Sequence, residues 1–238
     1  MSTVILASLV ATVAIAAVVQ GAVGVGFALI SAPVIGLLAP QLLPVSLLIL
    51  MLPLNAYVAW RERGAVHAYG ARWVTFGRVF GAVAGAWVVA RFTGRDLNLI
   101  IGAATVLAAT TSLWAPSFVP GRNAFVLAGA VLGVTETATG IGGPALAMVF
   151  QHDEASVIRS TIAVCFAIGE VVSLVIFLAT GQITPARLGW ALALVPPTLV
   201  GVYLSKHAHP RLNPRFVRAL VMGFAIVSGL FLVGRNIV

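Results

Sequence analysis

Two carboxylates stand where this chain has almost nothing else to carry charge. Glu136 lies four residues before Gly140, and Glu170 sits midway through the apolar stretch 157–180. A carboxylate inside a membrane is costly and commonly serves as a proton relay or ion partner; the alternative is a structural hydrogen bond or ion pair within a bundle. Arg78 falls a few residues inside the apolar stretch 72–91. It can pair with a glutamate, but a long basic side chain this close to a helix end is expected to snorkel to the interface. Arg159 opens the stretch that carries Glu170. There it either guards a cytoplasmic entrance for anions or anchors its helix to the positive side.

The second source of chemistry is backbone. Gly24-Val25-Gly26 and Gly140-Ile141-Gly142-Gly143-Pro144 interrupt uncharged stretches about 116 positions apart. A membrane helix should run unbroken there, because irregular backbone at bilayer depth survives only inside protein or beside a polar cavity. New half-helices are predicted to begin at about Phe27 and about Pro144. A proline suits the first turn, where its missing N–H costs nothing. The first amides of each half-helix lack an acceptor, and the helix dipole adds partial positive charge. Two such ends meeting near the midplane would hold an anion without a fixed cationic side chain. The competing reading is that the glycines only permit close helix crossing.

Polar side chains gather around these ends. Gln20 precedes the first break, Ser31 follows it, Asn55 lies in the next crossing, and Thr135, Thr137 and Thr139 precede the second. Each hydroxyl has a carbonyl of its own helix as a competing partner. The predicted substrate-binding set is therefore Gln20, Gly24, Val25, Gly26, Phe27 and Asn55 with Thr139, Gly140, Ile141, Gly142, Gly143 and Pro144. Glu136, Glu170, Arg159 and Arg78 are the candidates for proton coupling or gating.

The elements that must position these residues are apolar segments near 4–20, 27–39, 42–60, 72–91, 97–115, 123–138, 144–151, 157–180, 187–205 and 216–234. Those of roughly 20 residues are long enough to cross a bilayer. The stretches holding the breaks are either single long crossings, giving eight spans, or hairpins that enter and leave on one side. With eight spans the 14 lysines and arginines divide evenly; with hairpins ten fall on one face. That bias follows the positive-inside rule, so the hairpin arrangement is preferred, with both termini outside. Each half then holds one hairpin and three crossings, an odd number, so the halves must be inverted. The boundaries are residues 1–115 and 123–238, joined by a linker at 116–122 rich in proline and glycine. Gly77, Gly81 and Gly85 recur at every fourth position, the small-residue pattern of close helix packing.

Composition agrees. Hydrophobic residues make up 61% of the chain and charged residues 8%, too few to coat a soluble protein of 238 residues, and no charged residue precedes Arg61. The net charge of +8 reflects arginines holding loops on the cytoplasmic side rather than a nucleic-acid partner. Cys165 is alone, which excludes an internal disulfide. Residues 4–19 imitate a signal-peptide core but lack a basic leader and are read as mature structure. His67, His152, His207 and His209 fall in predicted loops and are expected to be solvated, with no metal site and no cofactor. A phosphate-binding G-x-x-x-x-G-K-[S/T] loop is missing, as are H-E-x-x-H and G-x-S-x-G, so neither ATP hydrolysis by that route nor an intramembrane enzyme is expected.

Taken in order, Gly24-Val25-Gly26-Phe27 with Pro33, Thr139-Gly140-Ile141-Gly142-Gly143-Pro144 and Val157-Ile158-Arg159-Ser160-Thr161 resemble the TauE/SafE family of sulfite-exporter-like permeases over essentially the whole chain. The resemblance implies an all-α polytopic membrane protein of two inverted repeats, carrying sulfur-containing anions such as sulfite or organosulfonates. The expected function is secondary-active transport at the half-helix ends, with an anion channel using the same site as the alternative. The expected partners are a small anionic substrate and the bilayer of the inner (plasma) membrane, with a homodimer left open.

Overall fold

The computed structural model describes residues 2–23, 26–92, 94–114, 119–208 and 214–237. Gly24 and Val25 of the predicted binding set, residues 116–118 of the linker, and His209 lie outside them. The described residues form α-helices and short 3-10 turns, with no strand among them. In order these are α1 (Thr3–Val23), α2 (Phe27–Leu38), α3 (Val45–Arg61), α4 (Ala68–Arg91) and α5 (Arg95–Trp114), then α6 (Arg122–Thr139), α7 (Gly143–Val149), α8 (Ala155–Ala179), α9 (Pro185–Ala208) and α10 (Pro214–Ile237). Helix is the form that bonds every amide within its own segment, which an apolar solvent demands.

Among the described residues, five helices are long and apolar enough to cross a membrane: Thr3–Ala22, Ala68–Arg91, Ser156–Ala179, Pro185–Ser205 and Ala219–Ile237. The first of these exceeds the predicted hairpin arm at 4–20. Conversely, the predicted crossing at 42–60 yields a helix only from Val45, after a 3-10 turn at Pro40–Leu42. Pro40 and Pro44 cannot donate an amide to a continuous helix. At 1.5 Å per residue, α2 and α7 reach only about 18 and about 10 Å, well short of a ~30 Å hydrocarbon core.

Glycines set the tightest packing. Gly77, Gly81 and Gly85 of α4 rest on the backbone at Val126, Ala130 and Val134 of α6, and Gly129 and Gly133 answer against Val74 and Arg78. A Cβ at any of these positions would overlap main-chain atoms. The other face of α4 presents Phe76, Phe80, Val83 and Trp87, each more than half exposed. A row of large exposed apolar side chains opposite a buried seam is a surface built for lipid.

These contacts also give directions. The contacting positions advance together along α4 and α6, so the two run parallel. Gly21 and Gly201 pack on Ser205 and Ala14, which makes α1 and α9 parallel. The end of α3 meets the start of α8 through Glu62 and Arg159, and Arg95 at the start of α5 donates to the Ile237 carbonyl near the end of α10 at 2.7 Å. Both of those pairs are antiparallel. Helix α2 lies along α10, with Gly26 beside Val221 and Arg235 donating to the Leu37 carbonyl. Helix α7 folds back on α6, so that Phe150 stacks on Phe125 at 5.4 Å between ring centroids. Successive helices thus alternate in direction through the bundle.

Candidate functional site

The centre of the bundle is polar. Arg78 of α4 contacts Glu136 of α6 through Nη1 and Oε2, and the two side chains are 1% and 0% exposed. The guanidinium sits 5.9 Å from the Phe166 ring centroid and against Gly169, where any side chain would collide with it. On the next turn of α8, Glu170 Oε1 accepts from Asn55 Nδ2 of α3 at 2.6 Å, while Oε2 has no hydrogen-bond partner. The hydroxyls of Thr137 and Ser173 meet at 2.7 Å. Arg78 therefore does not snorkel, contrary to expectation. Val74, Arg78, Ala82 and Gly85 share the face of α4 that the glycine seam turns into the bundle, so the guanidinium points at Glu136 rather than at the interface.

The breaks close on themselves in ways a sequence does not display. Gln20 Oε1 accepts the Phe27 amide at 3.0 Å, occupying one of the amides expected to face an anion. Gly26 has φ 128, a region in which a side chain is strained, and Gly140 caps α6 in the left-handed conformation at φ 78. The Gly140 amide donates to the Glu136 carbonyl at 2.7 Å. Thr139 donates to the Thr135 carbonyl and accepts the Ile141 amide, while Thr135 bonds the Val131 carbonyl. Gly140 packs on Leu47, and Gly142 packs on Leu132 and Phe166. A Cβ at Gly143 would touch nothing within 4 Å. Pro144 follows it in the first turn of α7. Ser31 is buried in α2 with its hydroxyl unpartnered.

A narrow cleft lies beside the first break, lined by Gln20, Gly21, Asn55, Val58, Arg61, Arg159, Ile162 and Ala163. It gathers Gln20 and Asn55 of the predicted binding set with Arg159 of the gating candidates. Through Gln20 it adjoins the start of α2, and through Asn55 it adjoins Glu170. The second break stands apart from it: Leu47, which touches Gly140, is eight residues and about 12 Å along α3 from Asn55. At the mouth, Glu62 bonds Arg61 at 2.7 Å and Arg159 at 3.2 Å. Sequence reasoning did not single out Arg61 or Glu62 as site residues; the acid flanked by Arg61 and Arg63 was the available signal.

His67 also departs from expectation. Its ring lies 5.8 Å from Phe125 and 5.7 Å from Phe150, and its amide donates to Thr161 at 2.9 Å, so it is an anchor at the start of α4 rather than a solvated loop residue. His152 is exposed. No group of three or more potential metal ligands occurs among the described residues.

Crossing-length apolar helices, an aromatic face turned outward and charged groups sealed at the centre mark a multi-pass α-helical membrane protein. The chain belongs to the family described as Sulfite exporter TauE/SafE, which it matches over residues 9–232. No curated protein and no solved structure matches it.

Proposed function

We propose that the protein is a secondary-active transporter of small sulfur-containing anions, sulfite or organosulfonates. It works by alternating access between two inverted repeats, residues 1–115 and 123–238, linked by 116–122. The observation that carries this reading is the cleft at the first break, where two guanidiniums and two carboxamides meet above a buried polar centre. The family supplies the sulfur chemistry.

Helix pairing supports the inverted repeat. Exchanging α1–α5 for α6–α10 turns the α1·α9 contact into α6·α4 and α3·α9 into α8·α4, and it returns α3·α8 and α5·α10 to themselves. Five alternating helices per half is an odd number, so the second half enters from the opposite side. The pairs α1–α2 and α6–α7 are the glycine-broken hairpins. Positions 116 beyond Gln20 and Gly21 are Glu136 and Thr137. We therefore take the sealed cluster of Glu136, Thr137 and Ser173 as the counterpart of the cleft, closed while the cleft is open. The amides of Gly26 and Phe27 and of Ile141, Gly142 and Gly143 complete the two sites once Gln20 and the capping threonine release them.

Charge balance supports ion coupling. One arginine compensates one of the two buried carboxylates, so a second positive charge accompanies Glu170, either as a proton or as a cation moving with substrate. The arginine-rich end, with Arg61, Arg63, Arg72, Arg122 and Arg159, is cytoplasmic in this reading, and both termini lie outside.

The test is uptake by proteoliposomes of radiolabelled sulfite, thiosulfate, sulfoacetate and sulfate, with and without a pH gradient. Saturable uptake of at least one sulfur oxyanion supports the reading. Absence of uptake for all four, from a correctly inserted protein, overturns it.

A further inference from the structure

At the mouth of the cleft the two arginines are held by a single acid. Glu62 follows the last residue of α3, Arg159 lies in the first turns of α8, and their contact joins the two halves of the chain. Arg159 Nε approaches both Glu62 oxygens, at 3.3 and 3.2 Å, and Arg61 Nη2 reaches Oε1 at 2.7 Å. The side chains of Arg61, Glu62 and Arg159 are 33%, 15% and 28% exposed, so water and a solute can reach all three. Two positive charges against one negative leave the mouth attractive to anions.

The floor is set for the same chemistry. Asn55 and Gln20 are 2% and 7% exposed. With Gln20 Oε1 occupied by the Phe27 amide, its NH2 group remains as donor. Asn55 stands six residues before Arg61, roughly 9 Å deeper along α3.

We propose that Arg61 and Arg159 form an anion vestibule whose resident occupant is the Glu62 carboxylate, and that a small sulfur oxyanion enters by displacing Glu62 from Arg159. This rests on the transporter reading and names a residue that restrains it. Guanidinium N–H groups donate to carboxylate and to sulfur oxyanions alike, so acid and solute compete for the same donors of Arg159. Displacing Glu62 also frees the end of α3 from the start of α8. Anion arrival is thereby linked to loosening between the halves.

A competitor and a structural clip differ in the sign of their mutational effects. In a clip, removing either partner perturbs binding in the same direction. In a competitor, Glu62→Gln tightens anion binding while Arg159→Gln weakens it. The experiment is titration calorimetry of the whole chain in detergent with sodium sulfite and sodium sulfate at constant ionic strength. Thermal melting and gel filtration establish that each variant is folded. The expected result is about a tenfold fall in Kd for Glu62→Gln and about a tenfold rise for Arg159→Gln. Should Arg159→Gln not fold, Arg61→Gln and Arg159→Lys carry the same expectation with smaller effects. Shifts of the same sign for acid and arginine variants, or no shift in either, overturn the proposal. Flux by the unaltered chain in proteoliposomes reports separately on the transporter reading.

Discussion

Arg78 and Glu136 form a pair with neither side chain in contact with water. Removing one partner of such a pair strands a charge and costs about 3–5 kcal/mol, whereas replacing both with apolar groups of similar volume is often neutral or better. Arg78→Met or Glu136→Gln alone should therefore sharply lower the melting temperature in detergent, and Arg78→Met with Glu136→Met should recover most of it. Equal destabilisation by single and double variants would mean that the two charges do not compensate each other. Glu170 differs because its one bonded oxygen is met by the neutral Asn55 amide rather than by a cation. Glu170→Gln should fold but leave uptake insensitive to an imposed pH gradient; an unchanged response would remove this carboxylate from coupling. Both glutamates were recognisable in the sequence because a carboxylate stands out in an apolar run. The location of Arg78 was not, since its rotation about α4 is decided by glycines on two helices that only the fold brings together.

At the scale of elements, glycines fall into two kinds. Gly81 and Gly133 hold backbone against backbone between α4 and α6, so Gly81→Leu should cost about 3 kcal/mol or prevent assembly. A monodisperse yield equal to that of the unaltered chain would contradict the seam. Gly140 instead supplies a left-handed turn, and Gly140→Ala should cost about 1–2 kcal/mol in thermal unfolding. Gly143 does neither, because a Cβ there meets no protein atom within 4 Å. If a solute approaches that backbone, Gly143→Val will fold normally and lose flux; full flux would remove the second break from the substrate path. The spacing of Gly77, Gly81 and Gly85 made the seam legible, and Thr139 to Pro144 made the second break legible. The apolar segment expected at 42–60 begins its helix only at Val45, because apolar character alone does not reveal where Pro40 and Pro44 delay it. Nor does sequence show that Gln20 turns back to occupy the amide of Phe27.

For the whole molecule, the proposed orientation puts the arginine-rich end of the alternating helices in the cytoplasm. Cysteines introduced as Gly64→Cys and Ala208→Cys, with Cys165 replaced by serine, should react with a membrane-impermeant reagent only from the cytoplasmic side; labelling from outside would reverse the orientation. The membrane class was legible because composition is additive along a chain. The polar cleft was only partly so: Gln20, Asn55 and Arg159 are far apart in sequence and meet through the packing of α1, α3 and α8. That cleft serves a carrier only if it faces one side at a time. Counterflow tests this most directly: proteoliposomes preloaded with unlabelled sulfite and diluted into a trace of labelled sulfite. Alternating access predicts transient accumulation of label above its equilibrium level. Label that only equilibrates, accompanied by unitary conductance in planar bilayers, would contradict it and identify an open anion channel.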